Sequence, residues 1–257
     1  MSYLKPIVAK RFSDAAATYA LHAPVQEQVA LTLAQQLTAH VPRLVNIGSG
    51  TGFAHHVLTE VCDRLLALDI APAMLRTLRA SQPVHSCIQA DMDNLPLTDT
   101  STDAIYSSLA LQWSHNINQW FSEAARVLTS NGQLHVSTLL PGTLHELNTS
   151  LKQVGCGAKV NRFIDKTTIL ETIKASGLEL MAATERHYKV TFSSLFAVMH
   201  SLKHIGAHTS ADQTNSRPLT PNRLRIAQTY YCEHFAQGAN RLPVSYRVLF
   251  LSIEKKP

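Results

Sequence analysis

The chain has only four cysteines, Cys62, Cys87, Cys156 and Cys232, and no two of them share a Cys-x-x-Cys spacing. That argues against a disulfide framework and a zinc knuckle, and reduced, mostly buried thiols are expected. The chain also lacks any apolar run near the roughly 20 residues needed to span a bilayer, and its first residues carry no long apolar segment. A soluble, cytoplasmic protein without a membrane partner is the expectation. Low-complexity tracts are missing. The net charge is +5, but no Lys/Arg block and no basic stripe interleaved with aromatics accompanies it, which argues against nucleic acid. An acidic protein partner accounts for the charge as well. Apolar material is plentiful: 45% hydrophobic residues against 16% charged in 257 positions suffice for one compact α/β domain with a small elaboration.

Two phosphate-binding signatures are also missing. The run Leu44-Val45-Asn46-Ile47-Gly48-Ser49-Gly50-Thr51-Gly52 leads an apolar strand into three alternating glycines. Phe53 stands where a Gly-x-Gly-x-x-Gly dinucleotide loop needs its third glycine, and no Gly-Lys-Ser or Gly-Lys-Thr comes after it. A P-loop is excluded and an NAD-type loop disfavoured. Phe53, Ala54, His55, Val57 and Leu58 can continue as a helix, so the glycines fall on a strand-to-helix turn. Such a turn lets a cofactor approach bare backbone and is expected to present free N–H groups. The spacing resembles the S-adenosylmethionine loop of class I methyltransferases.

Two acidic landmarks lie further along the chain. Asp69 ends the apolar run 65–68, where a carboxylate can accept both hydroxyls of a ribose. Alternatively it caps a helix beginning near Pro72, with Ala73, Met74, Leu75 and Leu78 as the buried face. Asp91-Met92 comes after a short strand at 84–89; the carboxylate can accept from an adenine amino group while Met92 covers the ring. Alone, a loop aspartate is usually just solvated.

Strands near 43–47, 64–68, 84–89, 103–107 and 133–138 alternate with helices, which predicts a mostly parallel sheet with crossover helices. Val8, Phe12, Ala16 and Tyr19 recur at helical spacing, and Pro24 opens a second helix through Leu37. A helix over 117–128 carries Ile117, Trp120, Phe121, Ala124 and Leu128 on one face, with Asn131-Gly132 as its stop. Later strands are expected at 179–191 and 246–254. Residues 193–242 between them form an insertion too long for a hairpin loop, with two helices. The predicted organisation is a helical cap (1–40), a cofactor-binding core (41–192), a helical lid (193–242) and a final core strand (243–257).

Over nearly its whole length the chain resembles the malonyl-acyl carrier protein O-methyltransferases of biotin synthesis. The segments that carry the resemblance include Phe12-Ser13 to Tyr19, Ala23 to Gln28, Asp91 to Leu97, Ser107 to Trp113, Ser137-Thr138-Leu139, Gly142 to Leu147 and Leu202 to Ala207. The resemblance implies an α/β class I (Rossmann-like) fold and S-adenosyl-L-methionine as cofactor, with S-adenosyl-L-homocysteine as product. It also implies acyl carrier protein bearing a malonyl thioester as partner, and methylation of the malonyl carboxylate to the ester that primes pimeloyl synthesis. A monomer is expected. The implied cofactor residues are Asn46, Gly48, Gly50, Gly52, Asp69, Ile70, Asp91, Met92, Ser107 and Leu109. Asn46 departs from the pattern, since an acidic residue is usual there; asparagine can hydrogen-bond the methionyl end but brings no charge to its ammonium. Ser49, where cysteine is common, should matter little.

A malonyl carboxylate is ionised at neutral pH and is itself the nucleophile, so no general base is required. Alignment and exclusion of water then become decisive. Tyr19, Gln112 and Trp113 are candidate walls or donors; equally, Tyr19 and Trp113 can simply pack between the first helix and the sheet. A buried carboxylate also needs a cation or donors, for which Lys203, Arg223 and Arg225 in the insertion are the candidates. His200, His204 and His208 fall at i, i+4 and i+8, yet Gly206 interrupts the helix and no metalloprotease glutamate accompanies them, so no metal site is expected. His115 is expected to precede the helix at Ile117, and His55 and His56 to lie on the first crossover helix. Two other readings stay open: a methyltransferase acting on another small carboxylate or a quinone precursor, and an assembly factor of this fold.

Overall fold

Alternating apolar strands and amphipathic helices build one seven-stranded sheet in the computed structural model, which describes residues 4–84, 86–156, 163–206, 218–238 and 241–257. Helices α1 (Leu4–Ala15), α2 (Tyr19–His22) and α3 (Pro24–Ala34) precede it. The core then runs β1 (Val41–Ile47), α4 (His55–Glu60), β2 (Cys62–Asp69), α5 (Pro72–Ser81), β3 (Ser86–Gln89) and β4 (Thr102–Ser108). It continues through α6 (Ile117–Val127), β5 (Leu128–Leu139), α7 (His145–Gln153), α8 (Lys166–Ala175) and β6 (Leu178–Phe192). Helices α9 (Leu195–His204) and α10 (Pro221–Phe235) separate β6 from β7 (Leu242–Lys255). Among the described residues no helix is long and apolar enough to cross a membrane.

The sheet order is β3-β2-β1-β4-β5-β7-β6, with β7 antiparallel to both neighbours and every other pairing parallel. From β1 the chain adds β2 and β3 on one side, then returns to place β4 on the other. This reversal opens a crevice at the carboxyl ends of β1 and β4, where ligands of open α/β sheets bind. The α/β class I methyltransferase architecture expected from the sequence is therefore present.

Helix α6 shows how periodicity positions the layers. Ile117, Trp120, Phe121, Ala124 and Val127 are buried against Ile105, Leu134 and Leu249 of the sheet. The Asn116 side chain accepts from the Asn118 and Gln119 amides and so starts the helix. Truncating the fully buried Phe121 to alanine would remove about 3–5 kcal/mol. The opposite face of the sheet is covered by α3, α4, α7, α9 and α10.

Several boundaries differ from the sequence reading: β5 begins at Leu128 rather than near 133, α3 ends at Ala34 rather than Leu37, β3 begins at Ser86, and three further differences have a local cause. Asn131-Gly132 does not stop α6: the helix ends at Val127 because Leu128 turns extended and pairs with Thr102, and Asn131 adopts φ 62° within β5. The first helix does not reach Tyr19. It ends at Ala15, whose carbonyl accepts both the Thr18 amide and the Thr18 hydroxyl, a local bond that competes with helix continuation. The last strand begins at Leu242, because β6 and β7 pair from Phe192↔Leu242 onward. Helices α7 and α8 had no counterpart in the sequence reading.

Candidate functional site

A cavity opens at the crevice and is bounded by the residues at the carboxyl end of each parallel strand: Gly48 and Gly50 after β1, Asp69 and Ile70 at β2, Asp91 and Met92 after β3, Leu109 and Ala110 after β4. Gly48 adopts φ +69° and lies so close to Ala110 that a Cβ would stand 2.5 Å from the alanine Cβ. Gly50, at φ +54°, faces open space instead, so this is where backbone is bared to a ligand. Gly52 packs toward α5, where a Cβ would collide with Leu78, and lies away from the cavity wall.

The glycine amides are not free, contrary to the sequence expectation. Gly48 and Ser49 donate to the Leu68 carbonyl, Gly52 donates to Ser49, and Gly50 donates to the Asp69 carboxylate at 2.8 Å. Because the turn leans against β2, its donors are consumed in holding it there. What it offers a ligand is absence of side chains. Ser107 is likewise turned inward: it is fully buried and its hydroxyl donates to the Ile47 carbonyl, while its neighbour Ser108 lines the cavity.

Asp69 has both carboxylate oxygens engaged by backbone amides, and Ala71 rather than Asp69 is the N-cap of α5. One carboxylate oxygen accepts the Gly50 amide and the other the Ala71 amide ahead of α5, both at 2.8 Å. Burial pushes its pKa up to about 6, against the pull of these amides. Asp91 lines the cavity at the β3 end beside Met92 and receives Lys5 Nζ of α1 at 2.5 Å; the same ammonium reaches Asp93 at 2.7 Å. Burial works against the Lys5 charge, yet the two carboxylates hold its pKa above the ordinary lysine value. Lys5 escaped the sequence reading, since a lone lysine near a terminus carries no local signal.

Asn46, 3% exposed, lines a smaller adjoining cavity with Gly48 to Thr51, Gln26 and Tyr19. Tyr19 lines both cavities, stacks on Phe53 at 5.7 Å and packs near Phe12, which meets Trp113 edge-on at 5.2 Å. Tyr19 and Trp113 thus pack on aromatic neighbours and at the same time line the cavity. Gln112 also lines the cavity, but both ends of its amide serve the protein: Nε2 donates to the Leu109 carbonyl and Oε1 accepts from Thr138.

Beyond these residues the cavity becomes apolar, walled by Leu139, Leu144, Phe163, Leu202 and Ile205, with Tyr246 of β7 among them. The sequence reading missed Tyr246; its one signal was the apolar alternation of the last strand. Burial holds the Tyr19 and Tyr246 phenols above their ordinary pKa, and Asp69 and Tyr246 add to the effect at Tyr19. The three candidate cations are not brought to this cavity. Lys203 points to the exposed side of α9, Arg223 donates to the Pro218 carbonyl, and Arg225 reaches Asn222. Helical phase explains this, because Leu202 and Ile205 take the inward positions of their turn.

Of the histidines, His200 and His204 meet through their Nε2 atoms at 3.1 Å and His204 stacks on His22; His208 lies outside the described residues. Among the described residues no cluster is arranged to hold a metal ion. His115 is exposed ahead of α6, its amide donating to Asp93. His55 and His56 open α4, with His55 buried and paired to the Pro83 carbonyl.

A family model described as a methyltransferase domain matches residues 45–136, the part that holds the glycine turn and both acidic landmarks. Among solved structures, an S-adenosylmethionine-dependent methyltransferase from Mesorhizobium loti superposes with a TM-score of 0.55 at 19% identity, covering 90% of this chain and all of that one. The biotin biosynthesis bifunctional protein BioHC of Cellvibrio japonicus is 37% identical over 98% of this chain, which spans only 50% of that relative's length. The malonyl-acyl-carrier-protein O-methyltransferase of Hahella chejuensis is 35% identical over 95% of this chain and 88% of its own length. On that identity across nearly the full length of both chains, this chain belongs to the malonyl-acyl-carrier-protein O-methyltransferase family.

Proposed function

We propose that the chain transfers a methyl group from S-adenosylmethionine to the free carboxylate of a malonyl thioester carried on acyl carrier protein. The observation that carries this reading is one continuous cavity with a polar, glycine-lined end and an apolar, tyrosine-bearing end. The first end fits the donor. Gly50 leaves space where a Cβ would stand, Asp69 presents a buried carboxylate beside it, and Asp91 with Met92 closes the far side. Asn46 and Gln26 face the adjoining smaller cavity, where polar groups suit an amino-acid moiety. Bound there, S-adenosylmethionine supplies an electrophilic methyl group on a positively charged sulfur.

The protein's own part is then to hold, orient and exclude water. No side chain has to take a proton from the acceptor, because a malonyl carboxylate is ionised at neutral pH. Phe12, Tyr19 and Trp113 close the cavity from α1, α2 and the turn after β4, and α9 adds Leu202 and Ile205. These contacts support the division into a helical cap (1–40) and a lid (193–242) around the core. Stripping water from the carboxylate raises its reactivity only if the site aligns it with the methyl carbon.

The test is a panel of carrier proteins incubated with methyl-labelled donor. Label should pass to the malonyl form and be absent from the acetyl form, which has no free carboxylate; the succinyl form reports tolerance of one more methylene. Equal labelling of the acetyl form would overturn the reading.

A further inference from the structure

Resting on that reading, we infer that Tyr246 binds the acceptor: its hydroxyl, together with that of Tyr19, donates to the carboxylate that is methylated. Burying a carboxylate without donors is strongly unfavourable. The polar side chains around the cavity are mostly committed elsewhere. Lys5 is held by Asp91 and Asp93, Gln112 by Leu109 and Thr138, and Ser108 faces the Ser137 hydroxyl at 3.2 Å. Gln26 sits at the junction with the smaller cavity beside the glycine turn. At the apolar end, Tyr246 is 6% exposed, and no hydrogen bond to its hydroxyl is present among the described residues.

The backbone on either side of Tyr246 is fixed with unusual thoroughness. Ser245 donates through both its amide and its hydroxyl to the buried Glu146 carboxylate of α7, and its carbonyl accepts from Leu144 at 2.7 Å. Arg247 donates its amide to the Thr143 hydroxyl, accepts the Leu140 amide on its carbonyl, and sends its guanidinium to the Pro141 carbonyl. Leu144, between these anchors, is held at φ 58°, a conformation uncommon for leucine. Residues 140–146 thus clamp both neighbours of Tyr246 while its own side chain projects into the cavity, which is the arrangement of a preorganised donor.

The chemistry favours phenols at this point. A neutral hydroxyl offsets lost solvation without placing a full positive charge on the nucleophilic oxygen. Burial keeps both phenols protonated through the neutral range, so both remain donors.

The test is steady-state methyl transfer to malonyl-carrier protein by the parent chain, Tyr246→Phe and Tyr19→Phe. Donor affinity by calorimetry and melting temperature are measured on each. Tyr246→Phe should raise KM for the carrier about tenfold, lower kcat less, and leave donor Kd and melting temperature at parent values, since the lost hydroxyl has no hydrogen-bond partner among the described residues. Parent-like KM and kcat in Tyr246→Phe would overturn the inference and leave the proposed function standing. A drop in melting temperature without a change in KM would assign the hydroxyl to the fold and overturn it too. Absence of transfer by the parent chain would overturn the proposed function, and the inference with it.

Discussion

Asp69 holds the fold with the same carboxylate that we propose receives the donor's ribose. Its two oxygens already accept the Gly50 and Ala71 amides, and burial raises its pKa to about 6. The unfolded chain would release that proton near pH 4. Between those values the folded, unliganded chain holds a proton that the unfolded chain has lost, so its stability falls as pH rises through that window. Donor binding runs the other way, because ribose hydroxyls donate to the ionised form. Affinity should be full above pH 6 and decline below it, approaching about tenfold per pH unit. Calorimetry from pH 5 to 8 measures this, and Asp69→Asn should bind weakly with a flat profile; a flat profile in the parent would assign another acceptor to the ribose. Asn46 makes a second prediction at this scale. Asn46→Asp should tighten donor binding about tenfold, roughly 1.4 kcal/mol, by adding a charge-assisted contact to the ammonium. Weaker binding by the folded variant would make asparagine an adaptation of this chain. Asp69 was legible because it ends an apolar strand, and Asn46 through the resemblance, in which an acidic residue is usual at that position. Lys5 and Tyr246 were not, since their roles come from the helix and strand that tertiary packing sets beside them.

Helix α1 is the element whose position the site depends on most. Lys5 bridges Asp91 and Asp93, and Phe12, further along the same helix, meets Trp113, so one helix spans the cavity from the end proposed for the donor's adenine to the end proposed for the acceptor. Lys5→Ala removes charge-assisted bonds worth about 1.5 kcal/mol. Hydrogen exchange of the α1 amides should then rise roughly tenfold while the amides of the core strands stay protected. Unchanged exchange would place the anchoring of α1 on its apolar contacts, Phe12 with Trp113 and the packing around Met74 of α5. Elements with a strong period, such as α6 and the parallel strands, could be read directly from the apolar pattern. The end of α1 could not, because a side-chain bond from Thr18 decides it. Nor could the role of Asn131-Gly132, where strand pairing of Leu128 overrides the apparent helix stop.

For the whole molecule, the net charge of +5 and the outward placement of Lys203 and Arg225 support the proposal that these cations act in encounter with the carrier rather than on the carboxylate. Lys203→Ala and Arg225→Ala should lower kcat/KM for an acidic carrier several-fold at low salt and lose that effect near physiological salt, where screening acts within about 8 Å. A loss that persists at every ionic strength would return these cations to the cavity. Everything proposed for the acceptor end requires that the methylated atom be a carboxylate oxygen. Carbon-13 magnetic resonance of malonyl-carrier protein, after reaction with donor labelled at its methyl carbon, identifies that atom directly. Transfer to oxygen should give a single new signal with the shift of a methyl ester and none on carbon or nitrogen. A methyl found on the malonyl carbon or on an arginine nitrogen of a protein partner would contradict it.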